Sequence, residues 1–102
     1  MAPASESRAE AEVVDLASQL IRIDTTNTGD PATLVGEQEA ADWVARQLED
    51  VGYETTRVES GASGRANVFA RLPGHDSSRG ALLLHGHLDV VPAEPADWSV
   101  HP

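Results

Sequence analysis

The first part of the chain alternates apolar and polar residues with the period of an α-helix. Over residues 7–23 the apolar side chains recur at i, i+3, i+4, i+7 and i+8, a spacing that places them on one face of a helix. We therefore predict an amphipathic helix with one buried face, capped by Ser5 or Ser7 and ended by the turn-forming residues 24–31. Its apolar positions are Val13, Leu16, Ala17, Leu20 and Ile21.

A second helical pattern extends from residue 32 or 33 to Val51. Gly52 follows the last apolar position directly, and a glycine just past a helix is a common stop signal because it adopts the left-handed conformation without strain. The sequence therefore predicts a second amphipathic helix that ends at this glycine. Its apolar face consists of Ala40, Trp43, Val44, Leu48 and Val51.

Three segments in the second half of the chain have strand-like patterns. Residues 53–59 predict a weak, half-exposed strand, and residues 66–72 alternate apolar with polar or larger side chains. Residues 81–84 are continuously apolar, which is typical of a strand buried on both faces of a sheet. Glycine-rich and serine-rich loops separate these segments at residues 60–64 and 73–80. Two helices followed by strands predict an α/β layer fold.

Composition narrows the class of protein. The 102 residues, 40% of them hydrophobic, suit one small globular domain. With 17 acidic and 7 basic residues the net charge is −10, which argues against a nucleic-acid partner and favours a cationic metal or substrate. The absence of cysteine excludes disulfides and thiolate-bound zinc. Residues 1–14 lack the apolar core of a signal peptide, so we expect a cytoplasmic protein with no membrane partner.

The segment ALLLHGHLDVVP, residues 81–92, carries the chemistry of the chain. His85, His87 and Asp89 follow the apolar run at alternate positions, so an extended backbone points all three to one face. Ligands in α/β sheets bind beyond the carboxyl ends of strands, and an imidazole oriented by a carboxylate suits zinc. Zinc binds about four ligands, however, which is more than these three side chains can supply. Spacing alone leaves two interpretations open: a metal site, or a hydrogen-bonded strand end in which Asp89 caps a turn.

The segment LLLHGHLDVVPAEPADWSVHP resembles the first metal-binding motif of the co-catalytic zinc peptidases and deacylases. That family includes acetylornithine deacetylase, succinyl-diaminopimelate desuccinylase, aminoacylase and glutamate carboxypeptidase. Its pattern is an apolar strand, H-x-D-V-V-P, a loop with Trp, and a closing Pro-Phe. The segments LIRIDTTNTG, EAADWVARQLEDVGYET and RANVFARLPG also resemble the family, so the resemblance covers nearly the whole chain. The motif matches at His87, Asp89, Val90, Val91, Pro92, Trp98 and Pro102.

The resemblance implies a role for each polar residue of the motif. His87 would be a ligand of one of two zinc ions, or of cobalt or manganese in their place, and Asp89 the catalytic-site carboxylate that orients it. His85 does not occupy the family's ligand position and would either contact a ligand from behind or be structural. Residues 25–27 would form a structural loop near the site. The other ligands, the general base and the lid and dimerisation domain would follow Pro102, so residues 1–102 would be the N-terminal portion of an α/β/α sandwich catalytic domain.

The same resemblance implies the activity of the complete enzyme. It would cleave amide bonds of N-acyl amino acids or small peptides through a metal-activated water, and a homodimer of the full-length protein is compatible with the family. With only one ligand present, we expect this segment alone to be inactive, to bind metal weakly, and to expose an apolar face. Residues that select the substrate lie in parts of the family that this chain does not match.

Three other classes compete with this interpretation. A metallo-β-lactamase-like hydrolase has the signature H-x-H-x-D-H, which fails at Val90, and a barrel amidohydrolase with H-x-H after a strand would not continue as D-V-V-P. A non-catalytic acidic domain with a degenerate site is the third interpretation. A G-R-G-x-x-D-type segment and a Glu-Glu pair after residue 102 would favour the enzyme over that domain.

Overall fold

The computed structural model describes residues 8–60 and 64–102. Ser5 and Ser7, predicted as caps of the first helix, lie outside the described residues. The regular elements follow the predicted order of helices and then strands. They are α1 at Arg8–Ile21, α2 at Gln38–Asp50, β1 at Thr55–Glu59, β2 at Ala66–Ala70 and a single 3₁₀ turn, η1, at Pro95–Asp97.

Helix α1 forms where its periodicity predicts it, but its apolar face is only partly covered. Leu16 and Leu20 are half-buried, whereas Val13 and Ile21 remain 55% and 74% exposed. Ala17 is exposed as well, so the prediction of one buried face is wrong for these three residues. The physical reason is that the sheet packs against α2 rather than α1.

Helix α2 begins at Gln38, five or six residues later than the sequence pattern predicts. Gly36 has a φ of +86°, a left-handed conformation that a right-handed helix cannot contain. Residues 31–33 form a turn instead, and residues 34–36 lie outside any regular element. The predicted end is confirmed. Gly52 adopts a φ of +97°, and its N–H donates to the carbonyl of Glu49 at 2.9 Å.

Strands β1 and β2 form an antiparallel hairpin in which Thr55 lies opposite Ala70 and Glu59 lies opposite Ala66. Both strands lie within their predicted segments and are shorter at the ends. Helix α2 packs on this hairpin, and an ion pair between Asp42 of α2 and Arg57 of β1 joins the two. The buried apolar residues are small and lie at this contact: Ala40, Ala41 and Ala66.

The prediction of a buried strand over residues 81–84 is wrong for this structure. Leu82, Leu83 and Leu84 are 85%, 79% and 83% exposed, and residues 81–84 are not in a strand. A strand requires a hydrogen-bonded neighbour, and residues 8–60 and 64–102 provide none at this position. The exposed leucines form the apolar face that we expected this segment to present.

Two helices and a two-stranded antiparallel sheet are compatible with the α/β class. The three-layer sandwich remains a prediction. No helix in the described part of the chain is both long and apolar enough to cross a membrane.

Candidate metal centre at His87 and Asp89

A short parallel backbone pairing brings two distant segments together at the candidate site. Thr26 forms a parallel bridge with Val90. The N–H of Val90 donates to the carbonyl of Thr25 at 3.1 Å, and the N–H of Asn27 donates to the carbonyl of Val90 at 2.7 Å. The loop of residues 25–27 therefore lies directly beside the His87–Asp89 segment.

Side chains of the same loop strengthen this pairing. Thr25 is buried, with 4% of its surface exposed, and its hydroxyl donates to the carbonyl of Leu88 at 2.8 Å. Thr26 donates to Asp24 Oδ1 through its hydroxyl at 2.7 Å and its backbone N–H at 2.9 Å. These two hydrogen bonds lower the pKa of Asp24, the hydroxyl contributing more. The loop is thus fixed on both sides of the bridge.

His87 contacts Asp89 through a single ring nitrogen. His87 Nδ1 lies 2.7 Å from the backbone oxygen of Asp89 and 3.1 Å from its Oδ1. Both partners accept hydrogen bonds, which assigns the proton of the neutral ring to Nδ1 and leaves the lone pair of Nε2 for a ligand. The His87 side chain is 84% exposed. This is the arrangement of an imidazole ligand oriented by a carboxylate.

The second carboxylate oxygen of Asp89 faces two donors. Oδ2 accepts a hydrogen bond from Asn27 Nδ2 at 2.9 Å, and Arg65 Nη2 lies 3.9 Å away. The Asn27 hydrogen bond is the largest cause of a lowered pKa of Asp89, opposed by desolvation and assisted by the charges of protonated His87 and of Arg65. The carboxylate is therefore ionised at neutral pH and acts only as an acceptor.

The amide of Asn27 has an assigned orientation. Its Oδ1 accepts the backbone N–H of Gly29 at 2.9 Å, so its Nδ2 is the group directed to Asp89. Gly29 has a φ of +78°, the left-handed conformation that completes this turn. The turn therefore fixes Asn27 as a donor to the carboxylate.

Arg65 connects Asp89 to a buried acid. Its Nε lies 3.1 Å from Glu37 Oε1, which also accepts the backbone N–H of Ala66 at 3.3 Å. Glu37 is only 7% exposed and immediately precedes helix α2. Sequence reasoning missed both residues of this ion pair, since a separation of 28 positions leaves no periodic signal.

The structure places the predicted site residues differently, while the roles of His87 as a metal ligand and of Asp89 as its orienting carboxylate stay predictions. His87 and Asp89 line an open depression of about 390 Å³, whereas His85 is exposed and lies outside its lining. The lining residues are Asn27, Thr28, Gly29, His87, Asp89, Val90 and Val91.

The residues at this site can supply one ligand of a metal ion. Within residues 8–60 and 64–102, no group of three or more His, Cys, Asp or Glu side chains surrounds a common point. His87 can supply one nitrogen ligand, while both oxygens of Asp89 are engaged by hydrogen-bond donors. A four-coordinate zinc at His87 would therefore need ligands other than these two side chains.

Comparison with known proteins gives three informative relatives. Acetylornithine deacetylase from Aliivibrio fischeri (strain MJ11) is 33% identical over 91 residues, covering 89% of this chain and 23% of the relative. Succinyl-diaminopimelate desuccinylase from Delftia acidovorans is 30% identical over 95 residues, covering 90% and 23%. Cysteinylglycine-S-conjugate dipeptidase from Corynebacterium striatum is 36% identical over 66 residues, covering 64% and 14%. No family model and no solved structure matches the chain.

These relatives define a class of deacylases and peptidases, and the chain spans less than a quarter of their length. The chain belongs to the family that includes acetylornithine deacetylase, succinyl-diaminopimelate desuccinylase and this dipeptidase. The resemblance predicted from the sequence motifs is thereby confirmed.

Proposed function

We propose that the protein is a metal-dependent hydrolase that cleaves amide bonds of N-acyl amino acids or small peptides. The observation that carries this proposal is the contact between His87 Nδ1 and the Asp89 carboxylate, 3.1 Å from Oδ1, which leaves Nε2 free to bind a metal. The names of the relatives support the reaction class, since they are two deacylases and a dipeptidase.

In this proposal the site holds two zinc ions, with cobalt or manganese as substitutes, and His87 binds one of them. Bound zinc would polarise the substrate carbonyl and lower the pKa of a water molecule. Asp89 holds the Nδ1 proton of His87, which fixes the ring and makes Nε2 a better donor to the metal. The exposed ring of His87 and the depression beside it leave room for a small substrate.

The remaining ligands and the general base belong, in this proposal, to parts of the protein that this chain does not include. The chain alone is then inactive, because one imidazole cannot hold a catalytic zinc. A homodimer of the full-length protein in the cytoplasm completes the proposal.

The test uses the full-length protein from the complete gene. We expect stoichiometric zinc by elemental analysis, and hydrolysis of at least one of N-acetylornithine, N-succinyl-diaminopimelate or a dipeptide panel. A chelator should abolish turnover, and added zinc should restore it. A protein that binds no metal and hydrolyses none of these amides would instead be the non-catalytic acidic domain.

A matched pair of histidine variants tests the assignment of the ligand. His87→Ala should lose zinc and amide hydrolysis together, whereas His85→Ala, two residues earlier in the same exposed segment, should keep both. If His87→Ala retained its zinc content, this residue would not be a ligand.

A further inference from the structure

Asp89 is held on the side away from His87 by residues that the motif does not contain. Oδ1 faces the imidazole, and Oδ2 faces the amide of Asn27 at 2.9 Å and the guanidinium of Arg65 at 3.9 Å. The carboxylate of an aspartate can rotate about its side-chain bonds, so it needs such contacts to keep one oxygen directed at His87. The two donors are therefore placed to hold it.

We propose that Asn27 and Arg65 are positioning residues that hold the Asp89 carboxylate against His87, and that Glu37 in turn holds Arg65. This inference rests on the proposed function, because it concerns how the ring of a metal ligand is oriented. Neither role follows from the H-x-D-V-V-P motif.

The chemistry of position 27 suits this role. An asparagine uses its Oδ1 to close the turn at Gly29 and its Nδ2 to donate to Asp89, so one side chain both fixes the loop and binds the carboxylate. An aspartate would close the same turn but would repel Asp89. A serine would reach the turn but not the carboxylate. The backbone bond from Asn27 to Val90, at 2.7 Å, keeps the amide in place.

Arg65 makes two contacts with different edges of its guanidinium. Nε faces Glu37 Oε1 at 3.1 Å, and Nη2 faces Asp89 Oδ2 at 3.9 Å. A planar guanidinium can contact two carboxylates at once through N–H groups that are held a fixed distance apart, whereas a lysine ammonium is a single point charge. Glu37 is buried, so the contact on that side sets where the Nη2 edge lies.

Two glycines bring this ion pair together. Gly36 immediately precedes Glu37, Gly64 immediately precedes Arg65, and the N–H of Gln38 donates to the Gly64 carbonyl at 3.1 Å. A Cβ at Gly36 would collide with the Gly64 carbonyl. The close approach of the two backbones therefore requires glycine, and it places the Glu37 and Arg65 side chains within reach of each other.

Loss of the positioning contacts should be visible on the ring of His87. When Oδ2 of Asp89 loses its partners, the carboxylate can rotate, and the Nδ1 proton of His87 keeps only one of its two acceptors, the backbone oxygen of Asp89 at 2.7 Å. The Nδ1–H tautomer is then favoured less strongly, so more molecules carry the proton on Nε2 and fewer present a lone pair there. Zinc affinity falls in proportion to that population.

The experiment compares variants of the full-length, metal-free protein labelled with ¹⁵N-histidine. At pH 8, where an ordinary imidazole is neutral, the ring ¹⁵N shifts of His87 report the tautomer. We expect the Nδ1–H form in the wild type and a mixture in Asn27→Ser and Arg65→Ala. We also expect a zinc dissociation constant raised on the order of tenfold in these variants, the lower end of the effect of losing an outer partner.

One control variant and two further test variants complete the experiment. Arg71→Ala removes an exposed arginine outside this cluster and should leave the tautomer and zinc affinity unchanged. Arg65→Lys keeps the positive charge but has no planar guanidinium to contact Glu37 and Asp89 at the same time. Its tautomer population and zinc affinity should fall between those of the wild type and Arg65→Ala. Should Asn27→Ser fail to fold, Asn27→Asp preserves the turn at Gly29 and should still disturb the His87 ring.

Failure of this inference is distinguishable from failure of the proposed function. If the Asn27 and Arg65 variants keep the wild-type tautomer and zinc affinity while His87→Ala loses zinc, the positioning roles are wrong and the ligand assignment stands. If His87→Ala itself retains zinc, the proposed function is wrong.

Discussion

The hydroxyl of Thr25 donates a hydrogen bond to the backbone carbonyl of Leu88 at 2.8 Å, joining residues 63 positions apart. Together with the Thr26–Val90 bridge, it attaches the His87–Asp89 segment to the rest of the fold. The leucines that precede this segment are exposed, so the attachment depends on the loop of residues 25–27.

Replacing Thr25 by valine should loosen this attachment. Thr25→Val keeps the shape of the side chain but leaves the Leu88 carbonyl without its donor, at a cost of about 1–2 kcal/mol. Local opening should then increase about 5–30-fold, measured as amide hydrogen exchange of Val90, whose N–H donates across the pairing. Thr25→Ser retains the hydroxyl and should protect Val90 better; equal exchange in the two variants would contradict the role of this hydrogen bond.

Two glycines with similar dihedral angles should differ in their tolerance of alanine. Gly36 and Gly29 have φ values of +86° and +78°, so each alanine costs about 1–2 kcal/mol in backbone strain. At Gly36 the new Cβ also meets the Gly64 carbonyl, whereas at Gly29 it enters open space. The thermal unfolding midpoint of Gly36→Ala should therefore fall further than that of Gly29→Ala. Equal midpoints would show that the Gly36–Gly64 approach relaxes freely.

The orienting role proposed for Asp89 predicts a graded loss of metal affinity. Asp89→Asn removes the charge that holds the Nδ1 proton of His87, so the zinc dissociation constant of the full-length protein should rise about 10–100-fold. His87→Ala, which removes the ligand itself, should cost more. Calorimetric titration with zinc measures both, and an Asp89→Asn affinity within twofold of wild type would remove Asp89 from the site.

The hydroxyl of Thr26 should control the pKa of Asp24. Thr26→Val removes the larger of the two causes of its lowered pKa, so the value should rise while the backbone hydrogen bond keeps it below that of a free aspartate. A lowered folded-state pKa stabilises the fold above the unfolded-state pKa, and this contribution is lost as pH falls through the folded-state value. Thr26→Val should reduce that acid sensitivity.

An NMR titration of the Asp24 carboxyl carbon measures this shift directly. Thr26→Ser keeps the hydroxyl and should keep the low pKa. A value unchanged in Thr26→Val would assign the effect to the backbone N–H alone.

Local patterns predicted most of the regular elements. The helical period of α1 and α2, the glycine that ends α2 and the alternation in β1 and β2 all depend on neighbours within a few residues, which sequence spacing records directly. The late start of α2 was missed because the left-handed conformation of Gly36 is set by its contact with Gly64, in a different part of the chain.

The candidate site also combines features set by local sequence with features set by contacts between distant segments. Within the sequence, the resemblance to the H-x-D-V-V-P motif singled out His87 and Asp89, whose separation of two residues lets their side chains meet locally, and it predicted the family. Only the tertiary structure decided which groups hold the far side of Asp89, because Asn27 is 62 positions away and Arg65 is held by the buried Glu37. It also decided that residues 81–84 are exposed and not in a strand, since a strand exists only where another segment supplies its hydrogen bonds.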